Sequence, residues 1–257
     1  LDIIRRRSVI YELVSRDVRQ QYIGSYLGVV WIFLQPLLFV SVLYTIFTLG
    51  FRAGESVEMP FSVYLILGIL PWMYFSRNLS TNTGVINKYS FLVKKVDFRL
   101  SVLPIVTLLS ALVPHLFLII VAIGLAWYQG FAPSLYTFQL IYYFFAMFTL
   151  LLGLAWLTSS SSLFIRDISN VVSVLVQFGF WLTPIFWNIR IIPQQYQWLI
   201  ELNPMYYVVT GYRDSVVTHI AFWDRASTFY FWGITLLILF LGINVFRKLK
   251  PHFAEVV

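Results

Sequence analysis

The chain has 257 residues, of which 60% are hydrophobic and only 11% charged. Soluble domains carry about 25% charged residues, so a water-facing surface of ordinary polarity cannot be built from this composition. The net charge of +7 raises nucleic acid as a partner, but no aromatic-plus-basic RNA motif or zinc-finger spacing accompanies it, and the absence of cysteine excludes disulfides, thiolate metal sites and cysteine nucleophiles.

Taken in chain order, residues 9–22 come first. Ile10, Val14, Val18 and Tyr22 form one stripe at i+4 spacing, with Val9 and Leu13 beside it, while Glu12, Arg16, Arg19 and Gln20 hold the opposite face. This predicts a basic amphipathic helix lying in the membrane interface, where the same pattern serves lipid and protein partners alike. Residues 8–26 lack the compact apolar core and small-residue cleavage site of a signal peptide, and none is expected.

Six apolar stretches follow, at 27–51, 61–81, 100–128, 138–164, 168–187 and 229–246. Each is near the ~20 residues that cross a ~30 Å hydrocarbon core. Thirteen of the eighteen Lys and Arg fall on one side of them, including Arg16, Arg19, Lys88, Lys94, Lys95, Arg166 and Arg247. The positive-inside bias puts that side, both termini and a loop over 84–99 in the cytoplasm. Prolines at 36, 71, 104, 114 and 184 lie within the stretches and predict kinks. The segment 188–228 is broken by Pro193, Asn203-Pro204 and Gly211, and its apolar runs are too short to cross; short helices dipping in from the outer face are expected there. The predicted class is an all-α integral membrane protein. It has one domain over 1–257, six transmembrane helices, an N-terminal interface helix and short re-entrant outer helices.

Chemistry of other kinds is missing. The chain has no GxxxxGK[ST] loop, no HExxH or GxSxG, no paired acidic cluster, no internal repeat and no metal-ligand spacing. All eleven acidic residues fall in loops or at helix ends, which argues against proton or sodium coupling. His115 stands alone in the third stretch, where a packing or helix–helix bonding role is the better reading.

Polar groups beside aromatics within the stretches mark faces that turn toward a neighbouring helix or a wet channel: Trp31 with Gln35, Tyr74 with Asn78, and Arg77 with Thr81, each at i,i+4. Arg77 lies ~6 Å from the inner end of its stretch, near enough to snorkel to the interface or to face a channel. Tyr and Trp pair a flat apolar body with a polar tip, so they meet apolar and polar groups at once. Trp127, Tyr128, Tyr136, Trp187, Trp223, Tyr230 and Trp232, at outer stretch ends, read as an interfacial belt.

Three motifs in order then point to one family. Arg16-Asp17-Val18-Arg19-Gln20-Gln21-Tyr22 runs to Gly24-Ser25-Tyr26-Leu27-Gly28 and Trp31…Gln35-Pro36-Leu37; Leu67-Gly68-Ile69-Leu70-Pro71-Trp72 leads to Leu92-Val93-Lys94-Lys95-Val96; Asn203-Pro204-Met205-Tyr206-Tyr207 leads to Gly211-Tyr212-Arg213-Asp214-Ser215. Over about 9–250 the chain resembles the permease subunit of ABC-2 type polysaccharide exporters, the O-antigen and wall-teichoic-acid export family.

The resemblance implies a non-enzymatic transport subunit of a bacterial inner or plasma membrane. Two copies would pair with each other and with two cytoplasmic ATPase subunits that bind ATP and Mg, moving polyprenyl-pyrophosphate-linked polysaccharide through a channel between the copies. It implies ATPase coupling through Glu12, Arg16, Asp17 and Arg19 and through Lys88, Phe91, Lys94, Lys95 and Asp97. Lys94 and Lys95 are equally read as lipid-phosphate anchors. It implies a channel lined by Tyr26, Trp31, Gln35, Trp72, Tyr74, Arg77, Asn78 and Thr81, and an outer gate of Trp187, Asn203, Pro204, Tyr206, Tyr207 and Arg213. An ABC-2 permease for a lipid or small hydrophobic molecule is the alternative. An enzyme acting on polyprenyl-linked sugars would need an acidic or His cluster, and the sequence offers none.

Overall fold

Among the residues that the computed structural model describes, 7–20, 26–50, 59–93 and 99–256, every regular element is a helix. A helix satisfies its own backbone, which is what a hydrocarbon solvent demands of a spanning segment. Helix α1 is Arg7–Gln20. Helix α2, Trp31–Thr45, is entered through a 3-10 turn at Gly28–Val30 and leaves through a π turn at Ile46–Gly50. Helix α3 is Phe61–Thr83, followed by the short α4, Val85–Lys88, and α5, Ser90–Val93. Next come α6, Leu103–Ser110, α7, Leu112–Tyr128, α8, Gln139–Ser162, and α9, Asp167–Leu182. The chain closes with α10, Gln194–Glu201, α11, Pro204–Arg213, α12, Ser227–Leu249, and α13, Phe253–Val256. Lys94, Lys95, Asp97 and the side chain of Arg19, all expected at a partner contact, lie outside the described residues.

Among the described residues, four segments are long and apolar enough to cross a membrane: Trp31–Gly50, Leu100–Tyr128, Leu135–Ser162 and Ser227–Val256. The other two expected spans fall short of that measure for different reasons. Helix α3 has 23 residues but ends in the polar run Ser76–Thr83. Because protein surrounds it, it needs no apolar exterior: every residue from Val63 to Leu70 is buried. Helix α9 has 16 residues, only ~24 Å at helical rise. It stops at Leu182 because Thr183 precedes Pro184 and is pushed to φ −86, ψ 131, so Pro184 follows the helix and does not kink it.

The third apolar stretch is also interrupted. Pro114 has no N–H for the Ser110 carbonyl four residues back, and the helix breaks there into α6 and α7. The bundle is organised around α3, which packs against α2, α6, α7, α8, α9 and α11. Helices α8 and α12 cross closely. A Cβ on Gly242 would fall on the Gly153 carbonyl oxygen, and one on Gly153 would lie 2.8 Å from Leu239 Cα. Small residues that let two backbones touch are the usual device where lipid supplies no hydrophobic drive between helices.

Candidate functional site

The basic end of the bundle is built around a carboxylate. Asp17 of α1 is 1% exposed. Its Oδ1 lies 2.6 Å from Lys88 Nζ at the end of α4 and accepts a 2.9 Å hydrogen bond from the Tyr89 hydroxyl. Burial pushes this carboxyl up, but the bonds from Lys88 and Tyr89 and the Lys88 charge outweigh it, and the group is held below the ordinary carboxylate range. Burial, and then the bond to Asp17, pushes the Tyr89 phenol up. Helix α1 lies along α6. Asp17 therefore faces inward, whereas Glu12, Arg16 and Phe91 are exposed. Asp17, expected at a partner contact together with Glu12 and Arg16, is turned into the protein because it lies one helical position past Arg16.

A second apolar cluster anchors this end. Val85, Ile86 and Tyr89 pack with Leu100 and Leu103 at the start of α6, Leu163 after α8, Phe246 of α12 and Phe253 of α13.

Between α2, α3, α7 and α9 lies a cleft of about 790 Å³. Gln35, Trp72, Tyr74, Arg77 and Asn78, all expected at a channel, line it; Tyr26, Trp31 and Thr81, expected with them, are exposed outside it. Two of the lining residues are also fixed structurally. The Tyr74 hydroxyl donates to the Leu108 carbonyl at 2.8 Å, and Asn78 Nδ2 to the Tyr74 carbonyl at 2.8 Å. Trp72 is seated against Gly179, where a Cβ would come 2.7 Å from its ring. Its exposed polar groups are Gln35, Arg77, Ser80 and Gln177, on three different helices. Sequence reasoning missed Gln177 and Trp181 of α9, whose phase only the cleft reveals.

His115 also lines the cleft. Its ring lies 4.7 Å from that of Tyr74 and 5.2 Å from that of Phe144, and its Nε2 is 2.9 Å from the Tyr212 hydroxyl. Among the described residues that hydroxyl has no other acceptor, so it donates to Nε2, and the ring hydrogen is assigned to Nδ1. The helix–helix bonding role expected of this histidine is what the geometry shows.

At the other end, α11 starts on Asn203, whose Oδ1 accepts from Met205 N at 2.9 Å, with Pro204 at the first helical position. Asn203 Nδ2 donates to Thr183 Oγ1 at 2.8 Å, tying α11 to the end of α9. Arg213 is 7% exposed and donates to the Tyr64 and Ile185 carbonyls. The next residue, Asp214, pairs with Arg225 and accepts from Thr218 Oγ1 at 2.7 Å. The Tyr207 hydroxyl is 3.0 Å from both Tyr142 and Thr228 hydroxyls, and Trp232 Nε1 donates to the Tyr142 hydroxyl at 2.8 Å. Trp232, expected in the interfacial belt, takes part in this network. Trp187 Nε1 donates to the Trp181 carbonyl at 3.0 Å. Tyr206 is half-buried. Of the expected gate residues, Trp187, Asn203, Tyr207 and Arg213 are thus tied by side-chain bonds.

Residues 8–217 match the model of the ABC-2 type transporter membrane domain. The chain belongs to the ABC-2 type transporter family. The match takes in α1, the Asp17 cluster, the cleft and α11. The chain is also similar to O-antigen export system permease proteins RfbA of Klebsiella pneumoniae, 30% identical over 95% of this chain and 93% of the relative, and of Myxococcus xanthus, 27% identical over 99% and 97%. The polysialic acid transport protein KpsM of Escherichia coli is 25% identical over 91% of each chain. Family and apolar helices together make this a multi-pass membrane protein.

Proposed function

We propose that the chain is the membrane subunit of an ATP-driven exporter of lipid-linked polysaccharide, of the O-antigen or teichoic acid type. The observation that carries the reading is the cleft. Gln35, Arg77 and Gln177 converge from three helices among Trp72, Phe39 and Trp181. Hydroxyl-rich rings with apolar faces suit such a wall, and weak, repeated contacts let a polymer slide. A cationic side chain in the same cleft suits the pyrophosphate joining glycan and lipid. The likeness to O-antigen and polysialic acid permeases over nearly the whole chain supports the same substrate class.

In this reading α3 and α9 complete six spans, the basic end is cytoplasmic, and α10 and α11 re-enter from the outer face as a gate. Two copies face each other, each contributing half of the conduit. The exposed apolar side chains of α2 and α9 that flank the cleft, such as Leu38, Val42, Val174 and Phe178, support that pairing. The chain itself performs no bond chemistry; two cytoplasmic ATPase subunits bind ATP and Mg and dock on the basic end.

Reconstitution into vesicles tests this. Chain and ATPase subunit together are expected to translocate polyprenyl-pyrophosphate-linked glycan only with ATP. Full transport by the chain alone would reject the coupling, and ATP-dependent movement of free lipid but never of glycan would favour the small-substrate permease.

A further inference from the structure

We propose that Asp17 is a positioning residue that clasps α1 to the 84–93 turn, so that these two elements of the basic end move as one body when a partner pushes on either. The inference rests on the reading that an ATPase docks at this end. Asp17 Oδ1 takes both the Lys88 ammonium and the Tyr89 hydroxyl, from residues more than seventy positions away in the chain. The pair is lopsided: the Asp17 side chain is 1% exposed and that of Lys88 43%. Desolvation therefore falls on the carboxylate, which is stable in place only while its donors are there. An apolar pair of similar volume would hold two elements together as well or better, so a buried ion pair is more informative as an orienting device than as a source of stability.

The turn that Asp17 grips is itself rooted. Val85 and Ile86 are fully buried, and with Tyr89 they pack on side chains from α6, α12 and α13. A push on α1 thus passes through Asp17 to α4 and on to the ends of the long helices. The surface left for a partner is separate from the clasp: Glu12 and Arg16 on α1, and Phe91 on α5, are all exposed. Force is received on one set of residues and transmitted by another.

The chain has no cysteine, so Tyr11→Cys with Asn87→Cys gives two unique, exposed spin-label sites on α1 and α4. In the full chain in nanodiscs, pulsed-EPR distances between them are expected to be narrow and unchanged when the ATPase subunit and ATP are added. Asp17→Asn and Lys88→Met each broaden the distribution; Lys88→Arg, which keeps the cation, does not. With the ATPase bound, Asp17→Asn and Lys88→Met are expected to hydrolyse ATP as the parent does but to lose glycan transport, while Lys88→Arg retains it. A distribution unaffected by Asp17→Asn and Lys88→Met, a shift of α1 against the turn on adding ATP, or loss of ATPase affinity in step with transport would each overturn the clasp. If the unmutated complex moves no glycan, the proposed function fails, and the distance measurements still decide the clasp.

Discussion

The guanidinium carbon of Arg213 lies 3.5 Å from the centre of the Tyr64 ring, and its nitrogens donate to the carbonyls of Tyr64 and Ile185, the latter at 2.9 Å. One turn along α3, a Cβ on Gly68 would come 2.5 Å from Arg213 Nη2 and 2.8 Å from the Ile185 oxygen. The glycine makes room for the arginine. Lysine keeps the charge but loses the planar stack and the forked donors, so Arg213→Lys is expected to destabilise by about 1–3 kcal/mol, read as a lower unfolding midpoint in detergent. Gly68→Ala should cost a similar ~1–3 kcal/mol by overpacking, and the two changes combined less than their sum, because they act on one contact.

The Asp214–Arg225 pair closes the loop between α11 and α12. Asp214 is 3% exposed at its side chain, so Arg225→Met leaves a buried carboxylate without its cation, at a cost of about 3–5 kcal/mol. Adding Asp214→Asn removes that charge and should recover most of the loss. Thermal unfolding of the two single variants and the double measures the cycle.

His115 and Tyr212 form a neutral counterpart. Tyr212→Phe strands the buried Nε2 of His115 and is expected to destabilise by about 1–3 kcal/mol, whereas Tyr212→Phe with His115→Phe removes both partners and should be milder than Tyr212→Phe alone. Equal losses in the single and double variants would count against the hydrogen bond as the source.

What could be read from the sequence follows from what is local. Helical stripes and apolar length located α1 and all of the long helices, because both properties repeat along one segment. Proline chemistry located the start of α11, since Asn203-Pro204 acts on its immediate neighbours, but Pro184, expected to kink a span, instead ends α9. The pairings were not legible. Asp17 with Lys88, Arg213 with Tyr64 and His115 with Tyr212 join residues far apart in the chain, and no periodicity encodes them. The cleft was half legible for the same reason: Arg77 and Asn78 announce themselves as polar groups within an apolar span, and Gln177 with Trp181 repeats that i,i+4 pattern, but only the packing of α9 shows that it faces the same cleft.

The clasp at Asp17 is expected to be insensitive to pH over the working range. Its carboxyl is depressed in the folded chain, so its contribution is fully present above the unfolded value near ~3.9 and is lost only as pH falls through the lower folded one. The Tyr11–Asn87 label distance should therefore stay constant from about pH 5 to 8. Broadening within that window would mean that a different group holds α1.

Accessibility of the cleft during export tests the central claim most directly. With no native cysteine, Gln35→Cys and Gln177→Cys can each be challenged with a water-soluble thiol reagent, with Leu236→Cys on the exposed apolar side of α12 as the control. The account predicts that both cleft cysteines react and that their modification stops ATP-dependent glycan export, while Leu236→Cys stays unreacted and export continues. Undiminished export from fully modified Gln35→Cys and Gln177→Cys would contradict it.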